Sequence, residues 1–222
     1  MSTPTKTSRA ERTLATRRRM ILAAYELFCA HGYLGTTISA VAKEAAVAVP
    51  TVYYTFGTKA ALLDESIGAA ISGFDRWPEP PSGQVEITEL LPWHRWWADF
   101  EAAETSVAAL DIFVTHGVGI LQRVGPLITA MHGATGDADA AEVVRIAEER
   151  RVDSYREVVR IVAGKPGGLR RGVTAAVATD IMVALFSAEL YQALAVGRGW
   201  SHRRCVAFFR EVLTAQLVGP AA

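Results

Sequence analysis

Cysteine is scarce: the 222 residues hold only Cys29 and Cys205, far apart and without a CxxC pair. That argues against a disulfide framework or a structural zinc site and fits a reducing compartment, so a cytoplasmic location is expected. Long apolar runs are missing too. No stretch approaches about 18 consecutive apolar residues and no charged start leads into an apolar segment, so neither membrane spanning nor secretion is expected. Strand patterning is nearly absent, with no alternating run bounded by Asn-Gly or Asp-Gly. Catalytic spacings are lacking as well. His31, His94, His116, His132 and His202 form no HExxH, neither GxSxG nor GxxxxGK[ST] occurs, and Gly117 and Gly119 lack a third glycine and a preceding strand. No enzyme activity, metal site or cofactor is expected.

What the chain does have is an uneven distribution of charge. Its 23 Lys and Arg balance its 23 Asp and Glu. Yet residues 1–60 carry eight bases (Lys6, Arg9, Arg12, Arg17, Arg18, Arg19, Lys43, Lys59) against three acids (Glu11, Glu26, Glu44), a net +5 that leaves −5 on the remainder. A basic end on an acidic body suits a polyanion that meets the end alone; a solvated basic tail is the plainer reading of the same charges.

Helical periodicity fills the rest. Residues 1–16 are polar, lack an apolar face and are expected to form a flexible basic arm. From residue 17, Ile21, Ala24, Tyr25 and Phe28 recur at three- and four-residue steps until His31-Gly32 supplies a stop. Thr36-Thr37 offers a cap for a short helix over 38–45, and residues 46–48 make a tight connection. A second short helix follows over 49–55, with Pro50 in its first turn, where a missing N–H is harmless. Phe56-Gly57-Thr58 ends it and caps a longer helix over 59–74. The segment 77–84, with Pro78, Pro80, Pro81 and Gly83, is the clearest break. Beyond it helices are expected at 93–103, 106–124, 126–132, 137–163, 174–186, 187–196 and 201–217. The one over 174–186 is apolar nearly all round, so it needs cover on more than one side. The expected fold is therefore all-α.

The informative stretch is TTISAVAKEAAVAVPTVYYTFGTKAALL, from Thr36 to Leu63. Two short helices joined by a three-residue turn have helix-turn-helix geometry, in which the second helix enters the major groove. Thr36, Thr37, Val41, Ala42, Lys43, Ala45, Val47, Thr51, Tyr53, Phe56, Lys59, Leu62 and Leu63, together with Leu27-Phe28 and His31-Gly32-Tyr33, resemble the pattern of the TetR family. The hydroxyls of Thr36 and Thr37, the Tyr53 phenol and the Lys59 ammonium suit phosphate, since helix ends and cations both favour anions. Lys43 joins this DNA-binding set. Base readout is expected from Val49, Thr51 and Tyr54, with Thr55 beside them. No Arg or Lys lies between Val47 and Thr58, so bidentate guanine recognition from this helix is excluded, leaving thymine methyls for Val49 and Thr51 and arm contacts for Arg9 or Arg12. The chain departs from the family pattern at Ala46, in place of a turn glycine, and at Ala48, in place of a capping Ser. A positive φ at Ala46 and a missing cap at Ala48 would each cost about 1 kcal/mol.

The resemblance implies a domain plan: an arm (1–16), a helix-turn-helix domain (17–61) and a helical ligand-binding and dimerisation domain (62–222). An ELYxxL…GRGW segment, Glu189 to Trp200, also looks like one found in the family. The implied partners are double-stranded DNA bearing a palindromic operator, a second copy of the chain and a small-molecule effector. The implied function is a repressor that an effector releases from DNA. The helix near Ile181 and the final helix are candidates for the dimer face. Trp97, Phe100, Phe113, His116, Tyr155, Met182 and Phe186, with Trp96 nearby, supply aromatic walls and few charges, which suits a hydrophobic effector. Two other readings use the same residues: a ligand-binding or scaffolding dimer whose DNA head is weakened by Ala46 and Ala48, and a TetR-like activator.

Overall fold

A computed structural model describes residues 9–74, 91–131 and 136–218, and every regular element among them is a helix. The Pro/Gly-rich break at 77–84 lies outside the described residues. The chain falls into two compact units: a head, Met1–Pro81 with Thr129–Val143, and a body, Ser82–Ile128 with Val144–Ala222.

The head begins with α1 (Arg9–Gly35), which bends at Gly32, where φ is 73°. Met20, Ile21, Ala24 and Phe28 form its buried stripe. Next come α2 (Ile38–Glu44), α3 (Val49–Phe56) and α4 (Lys59–Ser72). Local chemistry sets the boundaries. The Thr37 hydroxyl accepts from the Ala40 N–H at 3.1 Å, and the Thr58 hydroxyl accepts from Ala61 at 3.0 Å, each satisfying one orphan donor of a first turn. Gly57 ends α3 at φ 76°, and Gly73 ends α4 at φ 99°, left-handed values that a side chain would resist. Leu62, Leu63 and Ile67 of α4 are buried as α4 packs along α1.

Two expectations about the head need correction. Residues 9–16 are helical rather than a flexible arm: Ala10, Glu11, Arg12, Leu14 and Ala15 are sound helix formers that extend a helix already nucleated by the core stripe. The boundary expected at residue 61 falls inside α4, whose core packing keeps it in the head.

After the head's first four helices, a 3-10 turn (Leu91–Trp93) leads to α5 (Trp97–Ala102), α6 (Ser106–Met131) and α7 (Ala138–Ala163), which belong to the body except for residues 129–131 and 138–143. Then follow α8 (Ala175–Leu185), α9 (Ala188–Ala195), α10 (His202–Leu213) and a π turn (Thr214–Val218). The stretches 106–124 and 126–132 are expected as two helices; through residue 131, the last described before 136, they form the single α6 with Pro126 inside it. Pro126 gives up one helical hydrogen bond, and the apolar face on either side of it holds the rod together: Leu121 and Leu127 are both buried. Just before it, Gly125 allows a close approach, since a Cβ there would lie 2.2 Å from the Gln192 amide nitrogen.

Two helical stretches, Ser106–Met131 and Ala175–Ala195, reach a mean hydropathy of 1.3. The first buries Leu110, Val114, Val118 and Leu121 in the body core. The second is broken between α8 and α9, where the Ser187 hydroxyl accepts from Leu190 to start a new helix. Neither indicates a membrane protein.

Candidate nucleic-acid interface

The connection between α2 and α3 is a Schellman turn. The Val47 N–H donates to the Ala42 carbonyl at 2.9 Å and the Ala46 N–H to Lys43 at 3.1 Å, the paired bonds that close a helix over a left-handed residue. That residue is Ala46, at φ 53°, the one non-glycine with positive φ among the described residues. The strain expected from the sequence is therefore present, at a cost of about 1 kcal/mol. Ala48 stands at the N-cap of α3 with extended φ and ψ and no side-chain acceptor. The first turn of α3 therefore lacks a side-chain cap; Pro50 has no N–H to satisfy there, and the Thr51 N–H donates to the Ala48 carbonyl at 2.9 Å.

Val52 and Phe56 turn α3 inward, at 1% and 9% exposure, and this orients the opposite face to solvent. Tyr54 is 94% exposed and Tyr53 52%. Thr51 and Val49 are half-buried beside them. Thr55 lies on the same flank but donates its hydroxyl to the Thr51 carbonyl at 2.8 Å, which leaves Thr51 as the better-placed hydroxyl. Thr37 and Lys43 are exposed.

Thr36 is a correction: it is 2% exposed and its hydroxyl donates to the Gly32 carbonyl at 2.8 Å. The bend at Gly32 frees that carbonyl, and Thr36 satisfies it, so this residue builds the corner and does not face a phosphate. Lys59 has a double commitment. Its ammonium donates to the carbonyls of Tyr33 at 3.0 Å and Thr36 at 3.3 Å, and lies 4.0 Å from the centre of the Tyr33 ring. Two of its three protons are spent on that corner, leaving one for an anion.

Arg17, which the sequence offered only as one base among several, ties α3 and α4 to α1. It pairs with Glu65 at 2.6 Å and lies 4.7 Å over the Phe56 ring. The side chains of the pair are only 14% and 12% exposed, so breaking it would strand a charge in a poorly hydrated place. Its position one turn before Met20, on the stripe that leads into the core, was the available signal.

In the body, Trp97, Phe100, Phe113, Tyr155, Met182 and Phe186 lie in one buried cluster, as the sequence grouped them. Their rings touch: Phe113 meets Phe186 at 5.1 Å and Trp97 meets Phe100 at 4.9 Å between centroids. The Tyr155 phenol donates to the Phe186 carbonyl at 2.5 Å, and burial pushes its pKa up to about 12. His116 stands apart. The inward face of α6 runs through Leu110, Phe113, Val114, Gly117 and Val118, so His116 points out, is exposed and stacks flat on Trp96 at 5.6 Å.

A short helix with an outward face, mounted on two others, has helix-turn-helix geometry. Residues 21–66 match the family model for bacterial regulatory proteins of the tetR family. No curated protein matches the chain. Among solved structures it is similar to NalD, the secondary repressor of the MexAB-OprM multidrug efflux pump in Pseudomonas aeruginosa, at 18% identity, with 96% of this chain and 100% of that one covered and a TM-score of 0.62. It is also similar to FadR from Bacillus subtilis, solved with stearoyl-CoA, at 16% identity, 91% and 98% coverage and a TM-score of 0.63. A protein from Saccharomonospora viridis solved with choline gives 18% identity, 93% and 99% coverage and a TM-score of 0.65. At these identities the likeness speaks for the shared all-helical fold.

Proposed function

We propose that the chain is a repressor that binds a palindromic operator as a homodimer and leaves it when a small hydrophobic effector enters the body. The observation that carries this reading is the outward face of α3, where Tyr54 is 94% exposed and Tyr53 52%, with Thr51 half-buried beside them. Exposed aromatic and hydroxyl groups on a short helix suit thymine methyls and base edges, while Thr37, Lys43 and the remaining Lys59 proton hold phosphates.

One short helix buries too little surface to select a site alone; a two-fold partner would read a second half-site about 34 Å away. The apolar helix α8 supports such a partner. Only Ala178, Thr179 and Met182 of that helix are buried, whereas Val177 is 46% exposed. The effector site is proposed at the aromatic cluster of the body, and structural neighbours solved with stearoyl-CoA and with choline support a ligand-binding role for such a body. Binding there would shift the population toward a head spacing that no longer fits successive major grooves, with α4 as lever. The shift requires a differential affinity of a few kcal/mol between the two states.

The test is selection of binding sites from random duplexes with the purified full-length chain, followed by a screen for compounds that release it. A palindrome released by a compound is the expected result. Enrichment of no sequence would favour a scaffolding dimer with a weakened head, a reading that the strain at Ala46 and the uncapped Ala48 support. A palindrome whose binding no compound weakens would favour an effector-independent regulator.

A further inference from the structure

Nothing local breaks the chain between α8 and α9. From Ala175 to Ala195 there is neither proline nor glycine, yet Phe186 (φ −97°, ψ 67°) and Ser187 (φ −123°, ψ 155°) leave the helical region. Sharp breaks ordinarily sit at such residues, so the cause here is tertiary. The Phe186 ring is 2% exposed, with its centroid 5.1 Å from that of Phe113, 5.2 Å from Phe209 and 6.2 Å from Tyr155. A further wall is Gly117 of α6, where a Cβ would lie 2.9 Å from two carbons of the ring. Glycine inside a helix is a loss against alanine, and here the bare backbone makes room for one flat ring. The Tyr155 phenol donates to the Phe186 carbonyl, while Arg151 donates to the Val183 carbonyl at 3.2 Å and so fixes the end of α8. Phe186 thus fills a narrow slot from a two-residue hinge next to an anchored helix.

We infer that Phe186 is a displaceable plug, and that the slot it fills takes one flat aromatic ring of the effector, carrying beside it a neutral hydrogen-bond acceptor for the Tyr155 phenol. The inference rests on the effector reading above and adds the ligand's chemical class and the contact that opposes its entry. Two non-helical residues can absorb the swing of the plug without unwinding α8 or α9. As Phe186 withdraws with its carbonyl, the buried phenol loses its acceptor, and a buried donor without a partner is unfavourable. A ligand acceptor next to the ring restores that bond. A charged acceptor is disfavoured: the Arg151 guanidinium, 5.3 Å from the centre of the Tyr155 ring, is already engaged by both carboxylate oxygens of Glu148, so a ligand carboxylate would be buried without a counter-ion. Shape selects as well. The space between Phe113, Phe209 and the backbone of Gly117 holds a flat ring in the free protein and excludes a thicker, puckered one. Because the plug closes the site in the free protein, apparent affinity is reduced by the fraction of molecules that are open.

The test uses the full-length protein without DNA and isothermal titration calorimetry with three probes: acetophenone (a flat ring with one acceptor), toluene (the ring alone) and cyclohexyl methyl ketone (the acceptor on a puckered ring). With about nine molecules in ten plugged, Phe186→Ala should bind acetophenone about tenfold more tightly than the wild type, and both should prefer it to the cyclohexyl ketone. Adding Gly117→Ala puts a methyl group where the ring lies and should return Phe186→Ala to wild-type affinity or weaker. The preference for acetophenone over toluene, in which the plug's own bond cancels, should fall about fivefold in Tyr155→Phe, the loss of one hydrogen bond. A Phe186→Ala protein that folds and binds no more tightly than the wild type overturns the inference, as does binding that Gly117→Ala leaves unaltered. If Phe186→Ala does not fold, the wild type against Tyr155→Phe decides, and an unchanged acetophenone preference overturns the inference. Since no duplex is present, these failures strike the slot alone, whereas a chain that selects no operator overturns the repressor reading alone.

Discussion

The outward face of α3 in the head and the aromatic cluster of the body spend their rings in opposite ways. In the head, Tyr53 and Tyr54 stand in solvent on a helix whose other face is sealed by Val52 and Phe56. In the body, Trp97, Phe100, Phe113, Tyr155 and Phe186 touch one another and are all buried. Adjacent exposed phenols on one short helix form a patch that is available to a partner. The same ring types packed edge to face account for themselves through burial and pairing alone. The head therefore states its function in its exposed groups, whereas the body conceals its function within a core that any folded protein would need.

That contrast can be broken first where it is steepest. Phe100 is fully buried in the body cluster, so Phe100→Ala should cost about 3–5 kcal/mol in a denaturant titration. A loss under about 1 kcal/mol would mean that the cluster is loose enough to be a preformed cavity lining.

The next effect is pH-dependent. Burial pushes the Tyr155 pKa up to about 12, so its contribution is complete below the unfolded value of about 10 and is lost as pH rises through the folded value. Above pH 10 the unfolded chain gives up the proton while the folded chain keeps it. Stability should fall by roughly 2–3 kcal/mol more in the wild type than in Tyr155→Phe between pH 9 and 12. Parallel pH profiles for the two proteins would contradict the packing of the phenol against Phe186.

Smaller changes sharpen the head. Ala46→Gly relieves the left-handed residue and Ala48→Ser supplies a cap, and each should stabilise by about 1 kcal/mol in thermal melts. The smallest effect on stability is the most telling. Tyr54→Ala removes a side chain that touches little, so it should shift stability by under about 0.5 kcal/mol while weakening operator binding about tenfold, the loss of one base contact. A destabilised variant would show that Tyr54 packs in the folded state and would remove it from the reading face.

Much of the head was legible because its signals are local. Thr37 and Thr58 act as caps, Pro50 sits in a first turn and Gly57 closes α3, each within four residues of the group it serves. Even the strain at Ala46 followed from one residue standing where a left-handed turn demands glycine. What escaped depends on tertiary placement. Thr36 is buried because the bend at Gly32 turns that carbonyl toward its hydroxyl, and Lys59 is partly consumed because the fold brings the carbonyls of Tyr33 and Thr36 to its ammonium. His116 points outward because the exact phase of α6 places Phe113 and Gly117 inward, and a nearly all-apolar helix does not reveal its phase in sequence. Arg9 and Arg12 read as a tail because a polar stripe gives no sign that it continues a helix alongside α3.

On this reading the exposed face of α3 selects a DNA sequence. The most direct measurement is a fluorescence anisotropy titration, at physiological ionic strength, of the full-length chain against its selected operator and a scrambled duplex of equal length. At least about a thousandfold preference for the operator is expected, with most of the difference erased in a Thr51→Ala, Tyr54→Ala double variant that still melts like the wild type. Equal affinity of the wild type for both duplexes would contradict it.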